Sequence, residues 1–198
     1  MKPEKKKPAR VREVLRAYGK ATLRYPWSFG GTIVAGIVIE TSGVVAPLFL
    51  RQFINLLSSA VVSQKLVGML FIALILFSTT NLVSWFAQRV RVFFNNRLAA
   101  KVMVDLYQDS FDYLLGHAHE FFISNFTGTL TRRVTRYARS FDQVYDNLLY
   151  NFVPAVLFAI GVIGVLSFRS TLLGVGLLVW TVIMVYVQFA MMLKYHPL

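Results

Sequence analysis

No cysteine occurs among the 198 residues. A disulfide framework, a cysteine metal site and a thiol nucleophile are therefore excluded. Acidic residues are few, nine against 21 Lys and Arg, which leaves a net charge of +12. There is no GxxxxGK[ST] phosphate loop and no acidic strand end to hold magnesium, and the 12 glycines are too dispersed to cradle a phosphate. Histidines are scarce too. His117 and His119 stand two apart, so on a helix they point to different faces, and with Glu120 as their only neighbouring acid they make a poor metal site. No Ser-His-Asp or paired-carboxylate arrangement is credible in stretches as apolar as those described next. No GxxxG pair is present, so glycine-mediated pairing of a single helix is not indicated.

What fills the chain instead is apolar. Hydrophobic residues make up 56%, high for a water-soluble domain. They gather in four runs, Phe29 to Leu50, Leu66 to Gln88, Asn147 to Phe168 and Ser170 to Leu193. Each has roughly the 20 residues that carry a helix across a bilayer core. Glu40 is the one charge inside any of them. A carboxylate inside a membrane is costly and faces a cavity or a partner. Glu40 is thus either a pathway residue suited to cationic or polar cargo, or a structural group, protonated or bonded to Thr41, Ser42 or a neighbouring helix. Pro26, Trp27 and Trp85 suit the membrane interface. Pro47 and Pro154 fall inside runs and require that a neighbour satisfy the carbonyls they free. The surplus of basic residues invites a nucleic-acid reading, but the charges cluster between apolar runs, as in a membrane protein, and no nucleic-acid partner is expected.

Basic residues also set the orientation. Nine precede the first run, and Arg89, Arg91, Arg97, Lys101, Arg132, Arg133, Arg136, Arg139 and Lys194 fall on the same side. Only Arg51, Lys65 and Arg169 fall on the other. The positive-inside rule then puts both ends of this chain in the cytosol of a multi-pass protein of the plasma or inner membrane. Residues 1–9 have the composition of a disordered basic tail. Over 10–26 a weak helical pattern sets Val11, Val14, Leu15 and Tyr18 on one side, as in a basic helix lying in the interface. After the second run, Val90, Phe94, Leu98, Val102 and Leu106 continue a helical stripe, with Lys101 and Asp105 as an i,i+4 pair. The span is expected to extend about 45 Å beyond the membrane, from about 30 residues at 1.5 Å each.

Between the second and third runs lies HEFFISNFTGTLTRRVTRYARSFDQVYD, residues 119–146. Phe121 and Phe122 are a bulky apolar pair on a polar turn, a feature of docking surfaces. Asn125, Thr127 and Gly128 are turn or cap residues, Gly128 being free to take a positive φ at a reversal. From Thr129, Val134, Tyr137, Phe141 and Val144 recur at helical spacing.

The stretch HEFFISNFTGTLTRRVT resembles the first intracellular loop of type I ABC exporter transmembrane domains. The family pattern is an aromatic pair, a short polar run, Thr-Gly, a two-residue step and an Arg, here Phe121-Phe122, Ile123 to Phe126, Thr127-Gly128, Thr129-Leu130 and Arg133. Many members carry an acid four residues after the Arg, where this chain has Tyr137. The resemblance covers roughly residues 10–195. It implies an all-α membrane fold of long helices with intracellular extensions, with spans at about 29–56, 66–118, 129–168 and 170–194, and a segment 10–26 that looks like the family's elbow helix. It implies that Phe121, Phe122, Asn125, Thr127, Gly128 and Arg133 couple the chain to a nucleotide-binding ATPase domain. ATP and Mg2+ would bind there, with no cofactor on this chain. It further implies a second transmembrane domain as partner and alternating access. Against six spans in the family, four here look like the N-terminal two-thirds of such a domain: a fragment, an interrupted gene or a split subunit. The alternative is a self-contained four-helix membrane scaffold or partner-binding protein that uses the loop as its docking surface.

Overall fold

In a computed structural model, the structure describes residues 11–58, 63–116 and 127–195. Every regular element among them is helical. Helix α1 is Val11–Leu23, α2 Pro26–Leu57, α3 Gln64–Leu115 and α4 Thr127–Asp146. A π-helical segment, Asn147–Phe152, continues α4 into α5, Val153–Arg169, and α6 is Thr171–Tyr195.

Local chemistry accounts for the boundaries. Pro26 is the first residue of α2, where its missing N–H costs nothing and its fixed φ suits the helix. Ser63 stands at the N-cap position of α3. At the other end, the Gly116 N–H closes the last turn on the Asp112 carbonyl at 3.1 Å. Between α5 and α6 only Ser170 is non-helical. Its N–H donates to Leu166 O at 2.8 Å, and its carbonyl accepts from Gly174 N–H at 3.1 Å.

Four helical stretches are long and apolar enough to cross a membrane, Pro26–Leu57, Gln64–Leu115, Gly128–Arg169 and Thr171–Met191. They expose large apolar side chains such as Phe71, Ile72, Leu82, Val182 and Phe189. In water such an apolar surface would be unstable, whereas hydrocarbon is its natural solvent.

The described residues fall into two compact units. The first draws on Met1–Gly36 and Trp85–Phe152, the second on Ile37–Ser84 and Val153–Leu198. Phe141, Leu98 and Val102 are almost fully buried in the first, with Tyr18, Leu106, Ala138 and Tyr145 around them. There α2 approaches α3 so closely that a Cβ on Gly31 would lie 2.7 Å from the Phe94 ring. In the second unit the α5–α6 hairpin depends on buried Gly174, where a Cβ would lie 2.9 Å from the Cα of Ser167. Close backbone approach of this kind is a common means of packing membrane helices, and here single glycines provide it without a GxxxG pair.

The packed face of helix α1 keeps Tyr18 and Val14 of the expected side and leaves out Leu15. Tyr18, Ala21 and Thr22 are buried and Val14 is half-buried, whereas Leu15 is 50% exposed. Small residues let the helix seat closely, and Tyr18 is the large group it buries among the described residues.

Candidate functional site

The candidate coupling residues stand at the α3–α4 connection. Phe121, Phe122 and Asn125 lie outside the described residues, as does the Thr127 side chain. Helix α4 begins at Thr127, two residues before the expected start, so Gly128 sits in its first turn. No glycine among the described residues has a positive φ, which corrects the expectation that Gly128 makes the reversal by that means. Gly128 and Arg133 are both exposed on α4.

Among the described residues α1, α3 and α4 meet in a polar and aromatic junction. The Tyr18 ring lies 5.2 Å from Tyr137 and stands edge-on to Phe141 at 5.3 Å, and Phe141 stacks on Tyr145 at 5.3 Å. Tyr18 Oη donates to the Tyr137 carbonyl at 2.7 Å. Burial, with the nearby Tyr137 adding to it, pushes the Tyr18 phenol up to about 12, so it keeps the proton that this bond requires. Tyr137, where many relatives of the resembled family carry an acid, thus takes part through its ring and its main chain.

Asp105 does not pair with Lys101. Arg24 reaches Asp105 and Asp109 at 3.2 Å each, and Tyr25 Oη donates to Asp105 at 3.1 Å. The Lys101 ammonium lies instead over the Tyr25 ring, 5.1 Å from its centroid. The reason is geometric. Lys before Asp is the weaker i,i+4 order, worth a few tenths of a kcal/mol, and a guanidinium fork can hold both carboxylates at once. Since Arg24 is half exposed, the pairs serve mainly to fix the α1–α2 junction in register with α3.

A second polar group is buried beside the π-helical segment. Arg91 is 7% exposed, Asn95 5% and Thr32 2%. Arg91 Nη2 donates to the Leu149 carbonyl, and the guanidinium lies 4.2 Å from the Tyr150 ring centroid. Its Nε lies over Gly36, 3.9 Å from where a Cβ would stand. Pro154 explains the arrangement. Having no N–H, it cannot serve the carbonyl four residues back, Tyr150, nor the one five back, Leu149. Arg91 adds a side-chain donor to the second of these. Among the described residues Arg91 Nε and Asn95 Oδ1 are buried without hydrogen-bond partners. In the sequence Arg91 figured only as a basic residue flanking a span. The signal that could have found its role is Pro154 and the donor it demands.

Glu40 lies on α2 in the second unit, half-buried, and makes no hydrogen bond or ion pair among the described residues, Thr41 and Ser42 included. Next to it α2 and α3 form an open cleft of about 370 Å³. Hydroxyls of Thr41, Ser42, Thr79 and Thr80 interrupt an apolar wall of Ile37 and Leu76, and Glu40 is not part of that lining.

These spans define a multi-pass membrane protein. A model of the ABC transporter transmembrane region matches residues 29–198, and the chain belongs to that family. Its fold is the type I exporter transmembrane fold, with four membrane-length helices among the described residues. Membership implies a membrane setting and a nucleotide-binding partner. No curated protein matches the chain.

Proposed function

We propose that the chain is the transmembrane part of an ATP-driven exporter that works by alternating access. The observation that carries this reading is the length of α3. Its 52 residues make about 78 Å of helix, against about 30 Å of bilayer core. The basic-residue asymmetry favours the cytosol for the surplus. There the 119–130 connection would dock on the nucleotide-binding domain, with Phe121 and Phe122 inserted in a groove, Asn125 and Thr127 bonding at its rim, and Gly128 and Arg133 on the adjoining turn of α4. Burying one such aromatic is worth roughly 1.5–3 kcal/mol, enough to hold a docking contact. ATP and Mg2+ would bind on that domain, and a second transmembrane domain would complete the pathway.

In a complete transporter, Phe122→Ala should leave membrane insertion intact and lower transport per ATP hydrolysed several-fold. An Asn125→Cys variant should cross-link to the nucleotide-binding domain. Unchanged stoichiometry together with no cross-link would remove the coupling assignment and favour a membrane scaffold.

Glu40 is the carboxylate assigned to the pathway, because it is intramembrane by sequence and has no protein partner among the described residues. Glu40→Gln should alter cargo-stimulated ATP hydrolysis and preserve the basal rate. A lower folded yield with normal transport per folded molecule would make Glu40 structural.

A further inference from the structure

The junction of α1, α3 and α4 encloses a groove of about 530 Å³, of whose lining the coupling reading uses Arg133 alone. Lys20 and Arg24 edge it from the α1 side, Asp109 and Ser110 from α3, and Arg133 from α4. Three cations therefore line it against one carboxylate, and that carboxylate is held by Arg24 at 3.2 Å. Lys20 and Arg133 are exposed and have no acidic partner among the described residues. Ser110 Oγ donates to the Leu106 carbonyl at 2.6 Å, which leaves its lone pairs free to accept. The groove thus offers two unpaired cations from different helices and a hydroxyl acceptor, over an apolar floor.

Its position says what would fill it. Lys20 and Arg24 come just before Pro26, the first residue of a membrane-length helix, at the end of it that the basic-residue asymmetry puts on the cytosolic side. Leu23 is 66% exposed and Trp27 89%, side chains that water disfavours and an acyl boundary accepts.

We propose that this groove binds the headgroup of an anionic phospholipid. The phosphodiester oxygens accept from the Lys20 ammonium and the Arg133 guanidinium, and a headgroup hydroxyl donates to Ser110 Oγ. Bound lipid then ties α1 to α4. The proposal rests on reading the chain as a membrane domain with α1 at the bilayer surface, and it needs neither export nor ATP hydrolysis.

The test is native mass spectrometry of the full chain in neutral detergent, with phosphatidylglycerol or phosphatidylcholine added. Wild type should retain phosphatidylglycerol in preference to phosphatidylcholine. Lys20→Gln with Arg133→Gln should cut that retention on the order of tenfold, since a cation near an anionic lipid surface contributes about 1 kcal/mol. Arg12→Gln with Arg16→Gln removes the same charge from exposed α1 positions outside the groove and should leave retention close to wild type. Lys20→Gln alone, an exposed change that spares α4, should show a partial loss even if the double variant is poorly folded. Equal retention of the two lipids, or equal losses from the two double variants, would overturn the proposal. So would displacement by millimolar inorganic phosphate, which would reassign the groove to the free anion. Because no turnover is measured, a failure here is distinct from a failure of the exporter reading.

Discussion

Phe141→Ala should destabilise the unit built around α1, α3 and α4 by about 3–5 kcal/mol, the usual cost of emptying a buried phenylalanine site. Phe141 is 2% exposed, with Tyr18 edge-on at one side and Tyr145 stacked on the other. Lipid cannot fill the vacancy, because the ring is enclosed by protein. Nor can the site collapse freely, since Tyr18 is tied to the Tyr137 carbonyl and the α1–α2 junction is held to α3 through Arg24. Phe141→Leu keeps most of the volume and should cost less than half as much. The check is the thermal midpoint of the detergent-solubilised chain, followed by size-exclusion fluorescence, with protease sensitivity of α1 as a local readout. A midpoint within error of wild type for the alanine variant would mean that these rings are not a structural core.

The membrane helices were legible in the sequence for a physical reason. A span turns apolar side chains outward to lipid as well as inward, so a run of about 20 apolar residues declares itself without knowledge of its neighbours. The family was legible as well, because the resemblance that names it lies in the loop sequence and the match over residues 29–198 agrees with it. What could not be read is what one helix does for another. Asp105 had a local candidate in Lys101, yet its partner is Arg24, 81 positions away. The packed face of α1 followed small residues, which a hydrophobicity pattern undervalues. Gly128 looked like a reversal residue, but α4 begins early enough to make it part of a helical turn. Pro154 announced that a carbonyl would need help, and only the fold shows that the donor comes from Arg91 on α3.

Arg91→Ala is the sharper test of that last contact. The change removes a charge-assisted hydrogen bond to a buried carbonyl beside Pro154 and a cation over an aromatic face. Those losses amount to about 2–4 kcal/mol. One term opposes them. The guanidinium is itself nearly buried, its Nε has no partner among the described residues, and removing it relieves that desolvation. The loss should still prevail, because the carbonyl stays in place and an alanine leaves an unfilled volume beside it. Two further variants separate the contributions. Arg91→Met keeps much of the stem and drops the donor, so it should remain well below wild type if the carbonyl is what matters. Arg91→Lys keeps the charge and can reach one acceptor, but it lacks the flat guanidinium that lies over Tyr150, and it should fall between Met and wild type. Thermal midpoints in one detergent would rank the series, and hydrogen exchange across Asn147–Phe152 would report on the segment directly. If Arg91→Met melts like wild type with unchanged exchange there, the π-helical segment does not depend on Arg91, and packing around Pro154 alone must hold it.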